Sequence, residues 1–578
     1  MSSTRYLLGG LLGLVLCVSP LRAEKPPSPL RLIPADAELV VQTRGPRQLV
    51  EAVTTLDYIK EVLALDAYKE LLDATQTRRF FQMVAYFERE LGVSWPELLD
   101  RIGGGGAALA SKLGDNSPAL FVLQGTDQKM LRKFAGLLLT VIEQEQERQG
   151  SKERPVKATY KDIETVRVGK DFHAAIVQGA LLISNKEKRL QRALDLAADR
   201  EKKSMADNAD LADAARLLPK NTLASVWLNM DPVRKQPGGE ALYKTPRDPF
   251  LTVVLGGWAD IASRASYLSL GLVRDEKGLL ATVRLPAGRS GMGADRAVVC
   301  PPDGQPGSRP LLEPKGVLLS TSFYWDLSVF WTDRVKLFGE KNAKNIEQFD
   351  ENSGRFLSNF QFSKLVSQAG TYHRIVVVHQ PKRGYKKQAK TAIPAFALVT
   401  EMRKPDEFSK AMETILRGAA LFTGTQFGLK LSEEKHNDCN IVTYRFPEDR
   451  ALKADVNDIR FNFSPSFVRV GNQFVFSSTQ ELAHNLVEVL QAEAKGKDKG
   501  TAPTSRTKLY AEGGAATLKT FEDQLVTATV LNSAVSVEEA RAQIHKLIDL
   551  LSKSGGLSLE AIYAPKEFHY DIRLKFTK

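Results

Sequence analysis

The chain has 578 residues, with 80 Lys and Arg against 68 Asp and Glu, a formal charge of +12, and 43% hydrophobic residues. That length exceeds what one hydrophobic core organises, so two or more domains are expected. The positive excess is mild and spread along the chain, and its densest runs lack the interleaved aromatics of single-stranded nucleic acid binding, which argues against a specific nucleic-acid partner.

Arg5, an apolar run from Leu7 to Val18 and the segment Ser19-Pro20-Leu21-Arg22-Ala23 read as a secretory signal peptide over residues 1–23, cleaved after Ala23. The apolar run is about a dozen residues, short of the roughly twenty that span a bilayer. Lipid attachment at Cys17 is the less favoured reading, because a lipoprotein site wants a small residue before the cysteine and Leu16 stands there. No later stretch has the length and purity of a membrane helix. The expectation is therefore an exported protein, periplasmic or extracellular, with no transmembrane segment in its mature chain.

After a tail at 24–30, a first module is expected over 31–290. It opens with Ile33-Pro34-Ala35-Asp36 and an apolar strand at Leu39-Val40-Val41. Asp66–Leu91 is the longest helical pattern, with Leu72, Phe80, Val84 and Phe87 among its apolar positions. Ser94-Trp95-Pro96-Glu97 starts another helix with a capping box and a first-turn proline. The strand-like run Pro118–Leu123 then leads into a helix whose Met130, Phe134, Leu137, Leu138, Val141 and Ile142 share a face. Short strands follow at Ile163–Val168 and Phe172–Gln178. Ala174–Ser184 reads as a hairpin that runs into a helix through the capping box Ser184-Asn185-Lys186-Glu187. A closing hairpin pairs Tyr267–Leu272 with Leu279–Leu285.

Residues 291–310, dense in Pro and Gly, read as a linker, and a second module over 311–578 repeats the scheme. Pro394–Val399 matches Pro118–Leu123, and its helix carries Phe408, Met412, Ile415, Leu416 and Ala419. Phe467–Ser477 is again a hairpin leading into a capped helix, Ser478-Thr479-Gln480-Glu481, with Leu482, Leu486, Val487 and Leu490 on one face. Tight turns between short strands force antiparallel pairing. The expected fold is α+β: two similar tandem modules, each an antiparallel sheet with helices mainly on one face.

Candidate chemistry is sparse. Gly103–Gly106 lacks the Lys-Ser/Thr of a phosphate loop and reads as a turn. Ser432-Glu433-Glu434-Lys435 has the S-x-x-K spacing of acylating serine enzymes, but no S-D-N or K-T-G partner follows. His373 and His379 bracket a strand about 20 Å apart, too far to share a metal, and no motif asks for a cofactor. Outside the signal peptide, Cys300 and Cys439 are the right number for one disulfide. Lys382, Arg383, Lys386, Lys387 and Lys390 form a basic run suited to an anionic surface, as does the shorter run Lys495–Lys499.

With the Ile33-Pro34-Ala35-Asp36 opening and the phrases Leu91-Gly92-Val93 and Pro96-Glu97-Leu98-Leu99 before a Gly-rich turn, the chain resembles a family of large secreted bacterial proteins with a domain of unknown function and tandem α+β modules. The resemblance implies export and supplies no catalytic residues. The leading expectation is a non-enzymatic binding or scaffold protein of the cell envelope, with an envelope protein or anionic polymer as partner. Two alternatives stand beside it: a hydrolase of an envelope polymer with its site between the modules, and a carrier of an apolar ligand held between a sheet and its helices.

Overall fold

A computed structural model describes residues 27–63, 75–148, 150, 153–236, 238–239, 249–275, 278–355, 357–452, 455–496 and 503–576. The signal peptide with Cys17, the first part of the Asp66–Leu91 pattern and Lys497–Lys499 lie outside the described residues.

The first ten strands are β1 (Leu39–Thr43), β2 (Gly106–Ser111), β3 (Ala119–Gln124), β4 (Val156–Tyr160), β5 (Ile163–Val168), β6 (Phe172–Val177), β7 (Ala180–Ser184), β8 (Thr222–Asn229), β9 (Tyr267–Asp275) and β10 (Gly278–Leu285). The others are β11 (Val317–Tyr324), β12 (Ala369–Val378), β13 (Ala395–Met402), β14 (Lys430–His436), β15 (Cys439–Arg445), β16 (Ser466–Val470), β17 (Gln473–Ser477), β18 (Ser505–Leu509), β19 (Ser554–Tyr563) and β20 (Phe568–Phe576). All twenty strands of the described residues join one sheet. Every pairing is antiparallel, and from one edge the order runs β4, β5, β6, β7, β3, β2, β1, β8, β9, β10. It continues through β20, β19, β18, β11, β12, β13, β17, β16, β15 and β14. The edge strand β14 is studded with Lys430, Glu433, Glu434 and Lys435, whose charges discourage pairing with a further chain.

The seam between β10 and β20 is a continuous ladder from Gly278↔Lys575 to Leu285↔Phe568. Arg284 and Thr282 on β10 both reach Asp571 on β20, at 2.6 Å. The Pro- and Gly-rich 291–310 segment is packed: Ser308 is buried and donates to Pro503 O, and Arg309 pairs with Glu401 at 3.0 Å. Pro and Gly there shape a fitted crossing.

Helices lie on both faces of the sheet, which corrects the expectation of one covered face. Directly opposed residues of antiparallel strands share a face. Val40, Ala110, Leu120 and Leu182 therefore point one way, where Leu190, Ala193 and Leu194 of the Glu187–Ala198 helix cover them. Phe121, Leu123, Leu181 and Ile183 point the other way, against the Thr75–Leu91, Trp95–Gly103 and Gln128–Arg148 helices. In the second half, Val376, Ala397, Val399 and Val475 meet Leu482, Leu486 and Leu490 of the Gln480–Lys495 helix. Phe467 and Phe474, on the opposite face, meet Phe408, Met412 and Leu416 of the Pro405–Phe427 helix. The physical reason is in β3 itself: four consecutive apolar residues, Leu120–Leu123, cannot all face one side of a strand, and a run of that kind needs cover on both. Each side chain so buried stabilises the fold by about 1.5–3 kcal/mol.

The helix starts differ from the capping-box expectation. Ser94 makes no side-chain cap, and the Trp95 N–H donates to Glu88 instead. The Glu187–Ala198 helix begins two residues later than expected, after Lys186, so the Ser184 hydroxyl is free to donate to Ala119 O on β3 at 2.7 Å. Thr479 rather than Ser478 caps the Gln480–Lys495 helix, accepting from the Leu482 N–H.

Candidate functional site

One concavity among the described residues forms because one long helix is pinned at its start and held off the sheet beyond it. Asp127 accepts the Met130 N–H at 3.0 Å, an N-cap that opens the Gln128–Arg148 helix. Met130 and Leu131 are buried, and Phe134 packs on Phe87 with ring centroids 5.0 Å apart. The next positions over the sheet, Ala135 and Gly136, are small, and a side chain built at Gly136 would meet nothing within 4 Å. Opposite them on β6 lies Ala174, also small. The result is a cavity of about 530 Å³ between this helix and strands β5 to β7. A second space of about 390 Å³ adjoins it under the same helix, bounded by Pro46, Leu49, Trp95, Leu99, Leu123 and Phe134. The two share Leu138, Leu181 and Ile183.

The larger space reaches the end of the sheet where two tight turns, at Asp162 and Gln178, line it. Lys161-Asp162 joins β4 to β5 and Gln178-Gly179 joins β6 to β7, all four with positive φ, as such turns require. The second turn is braced: the Gln124 amide donates to Gln178 O at 3.2 Å, and the Gln178 amide donates to Ala197 O at 2.8 Å. Lys157 and Glu164 pair with each other at 2.8 Å along the wall. This arrangement can enclose apolar matter and present charge at one end.

The corresponding place in the second half is full. Phe467 and Phe474 stack with centroids 6.2 Å apart, and Phe408 of the Pro405–Phe427 helix meets Phe474 edge-on at 5.9 Å.

The residues singled out from sequence are dispersed. Cys300 and Cys439 are both free, so the disulfide does not form. Cys300 is buried at the end of a short turn of helix, where burial pushes its thiol up to about 12, whereas Cys439 begins β15 beside Gln491. Of the basic run, Lys382, Lys386, Lys387 and Lys390 are exposed, but Arg383 is buried and spends its guanidinium on the carbonyls of Gln380 and Ile393. Lys387 donates to Glu448 O at 2.8 Å, and Glu448 and Asp449 share the shallow depression with Lys386, so acids dilute the patch. Arg383 therefore leaves the set of surface cations: its neighbours' carbonyls satisfy it better than water could reach it.

His373 is a satisfied core residue between Thr400 Oγ1 and Trp325 O, and burial lowers its pKa. Ser432 and Lys435 lie on a strand, where residues three apart point to opposite faces. Among the described residues no group of three or more His, Cys, Asp and Glu could hold a metal ion. One cluster escaped the sequence: His436 on β14 and His484 on the Gln480–Lys495 helix stack at 4.6 Å, with Glu434 beside His484. The cavity residues escaped it too, although small residues on both walls, Ala135-Gly136 and Ala174, were the signal.

No helix among the described residues is long and apolar enough to cross a membrane. No protein-family model matches the chain, and no curated protein matches it. Among solved structures it is similar to crystal form I of TP0453, at 8% identity over 46% of this chain and 81% of that one, with a TM-score of 0.24. It is likewise similar to crystal form III of TP0453, at 10% identity over 46% of this chain and 83% of that one, with a TM-score of 0.25.

Proposed function

We propose that this is an exported binding protein of two tandem α+β modules, 31–290 and 311–578, whose first module carries an apolar ligand beneath the Gln128–Arg148 helix. The observation that carries this reading is the pair of adjoining spaces of about 530 and 390 Å³, the smaller one lined without a single charged side chain. A preformed apolar concavity with few polar groups is the usual form of a small-molecule site. Tandem duplication is supported by strand order: β4-β5-β6-β7-β3-β2-β1-β8-β9-β10 recurs, with ten added to each number, in the second half. Export rests on Arg5, the apolar run Leu7–Val18 and the small residue Ala23.

The reading is tested by titrating the mature protein with a neutral environment-sensitive dye, N-phenyl-1-naphthylamine. One saturable site is expected, and Ala174→Phe, which fills the larger space, is expected to weaken it about tenfold or more with unchanged circular dichroism. A signal that never saturates, or that Ala174→Phe leaves untouched, would overturn it.

A further inference from the structure

A polar cavity lies on the other face of the sheet from the apolar spaces. Ile183 lines those spaces, and Ser184, its neighbour along β7, points the opposite way. On that side Ser184, His173, Arg167 and Val156 stand in register across β7, β6, β5 and β4. His173, Arg167 and Val156, with Glu187, Leu190 and Gln191 of the Glu187–Ala198 helix, bound a space of about 250 Å³. That is just under the range of about 300–1,000 Å³ for drug-sized ligands, so it suits a small molecule.

The polar groups of this space are left open. Arg167 and Glu187 are the charged side chains of its lining, and they do not pair with each other. Among the described residues the Arg167 guanidinium has no hydrogen-bond or ion-pair partner, and Glu187 takes the Gln191 amide at 3.2 Å. His173 is only 6% exposed. Its Nε2–H donates to Lys170 O at 3.1 Å, which leaves Nδ1 an acceptor with no partner among the described residues. A buried imidazole satisfied on one nitrogen alone asks for a donor from within the space that it lines.

The second half closes the corresponding place with its own side chains. Thr443 and Ser466 hold the register positions of Arg167 and His173, and their buried hydroxyls bond each other at 2.9 Å. Glu434 stands where Ala158 does and reaches His484 on the helix above. The strand register alone therefore does not leave the place open; the side chains of the first half do.

We infer that this space binds a small zwitterion, a free α-amino acid, with its carboxylate on Arg167 and its ammonium between Glu187 and the His173 Nδ1. Guanidinium and carboxylate match in a two-toothed pair, and an ammonium supplies the donors that Glu187 and Nδ1 lack. The site is separate from the apolar spaces and stands without them.

Thermal denaturation of the mature protein with each of the twenty standard amino acids, at about 10 mM, makes the first test. At least one is expected to raise the melting temperature in a saturable way. Calorimetry then compares that amino acid with its methyl ester and its N-acetyl derivative, each expected to bind about tenfold or more weakly. Arg167→Gln is expected to weaken the amino acid and the N-acetyl derivative but not the ester. Glu187→Gln is expected to weaken the amino acid and the ester but not the N-acetyl derivative. No amino acid raising the melting temperature overturns the inference, as does a derivative that binds as tightly as its parent, or an affinity that neither substitution changes. Binding of N-phenyl-1-naphthylamine is expected to be the same in both variants as in the parent, which keeps this test apart from that of the apolar site.

Discussion

Ala174 and Phe467 occupy the same place in two hairpins of the same register: Ala174 faces Ile183 across β6 and β7, and Phe467 faces Phe476 across β16 and β17. The first leaves a cavity under its helix and the second fills one. Phe467 is buried, so Phe467→Ala is expected to cost about 3–5 kcal/mol, the transfer and cavity terms together. It is also expected to create a second dye site. Chemical denaturation reads the first effect and dye stoichiometry the second; a mutant of unchanged stability that still binds one dye would show that Phe467 does not occlude the space.

Asp36, in the opening Pro34-Ala35-Asp36 phrase, anchors the N-terminal segment to the Glu187–Ala198 helix. Its carboxylate takes Arg189 on one oxygen and Arg192, at 2.8 Å, on the other. The Arg189 side chain is only 2% exposed, so Asp36→Ala leaves a buried guanidinium without its carboxylate and is expected to cost about 3 kcal/mol or more. Burial alone would raise the Asp36 pKa, but the hydrogen bonds from Arg192 and Arg189 outweigh it and hold the carboxyl well below the usual range. Its stabilisation is therefore complete above the unfolded value of about 4 and is lost as pH falls through the folded one. Thermal denaturation between about pH 5 and 2 should be less pH-dependent in Asp36→Ala than in the parent.

Asp571 tests the seam. Its partial burial, which would raise the pKa, is outweighed by donation from Arg284 and Thr282, and the net shift is downward. Replacing it with Ala strands Arg284, only 7% exposed, beside the β10–β20 ladder. Hydrogen exchange should then accelerate in Gly278–Leu285 and Phe568–Phe576 before it does in β3 or β13. Uniform acceleration over the whole sheet would mean that the seam opens only with global unfolding.

Cys300 and Cys439 should differ in reactivity. Burial raises both thiols, and Cys300 is the more deeply enclosed. Because the thiolate is the nucleophile, a maleimide at neutral pH should label Cys439 in the native protein and Cys300 only after denaturation, as mapped by peptide mass. Prompt native labelling of Cys300 would contradict its enclosure.

Much of the local structure was legible because it depends on near neighbours. The helix faces at Leu190-Ala193-Leu194 and Leu482-Leu486-Leu490 follow from three- and four-residue spacing, and each is buried. The hairpins at Gln178-Gly179 and Gly471-Asn472 follow from turn residues between β-branched and aromatic runs. Cap positions were less legible: Ser94, Ser184 and Ser478 all satisfy a pattern, but competing partners one or two residues away decide which hydroxyl meets which N–H.

By itself the sequence determined an α+β chain of short antiparallel strands and amphipathic helices, since those choices rest on periodicity and turn chemistry within a few residues. Only the tertiary structure decided that β10 pairs with β20, nearly three hundred residues away, because strand partners are chosen by which edges remain open once local hairpins have formed. It also decided that both sheet faces are covered, that Cys300 and Cys439 stay apart, and that the space over Ala174 is empty while that over Phe467 is filled. Volume at a site is the sum of side chains contributed by distant segments, and no local spacing records that sum.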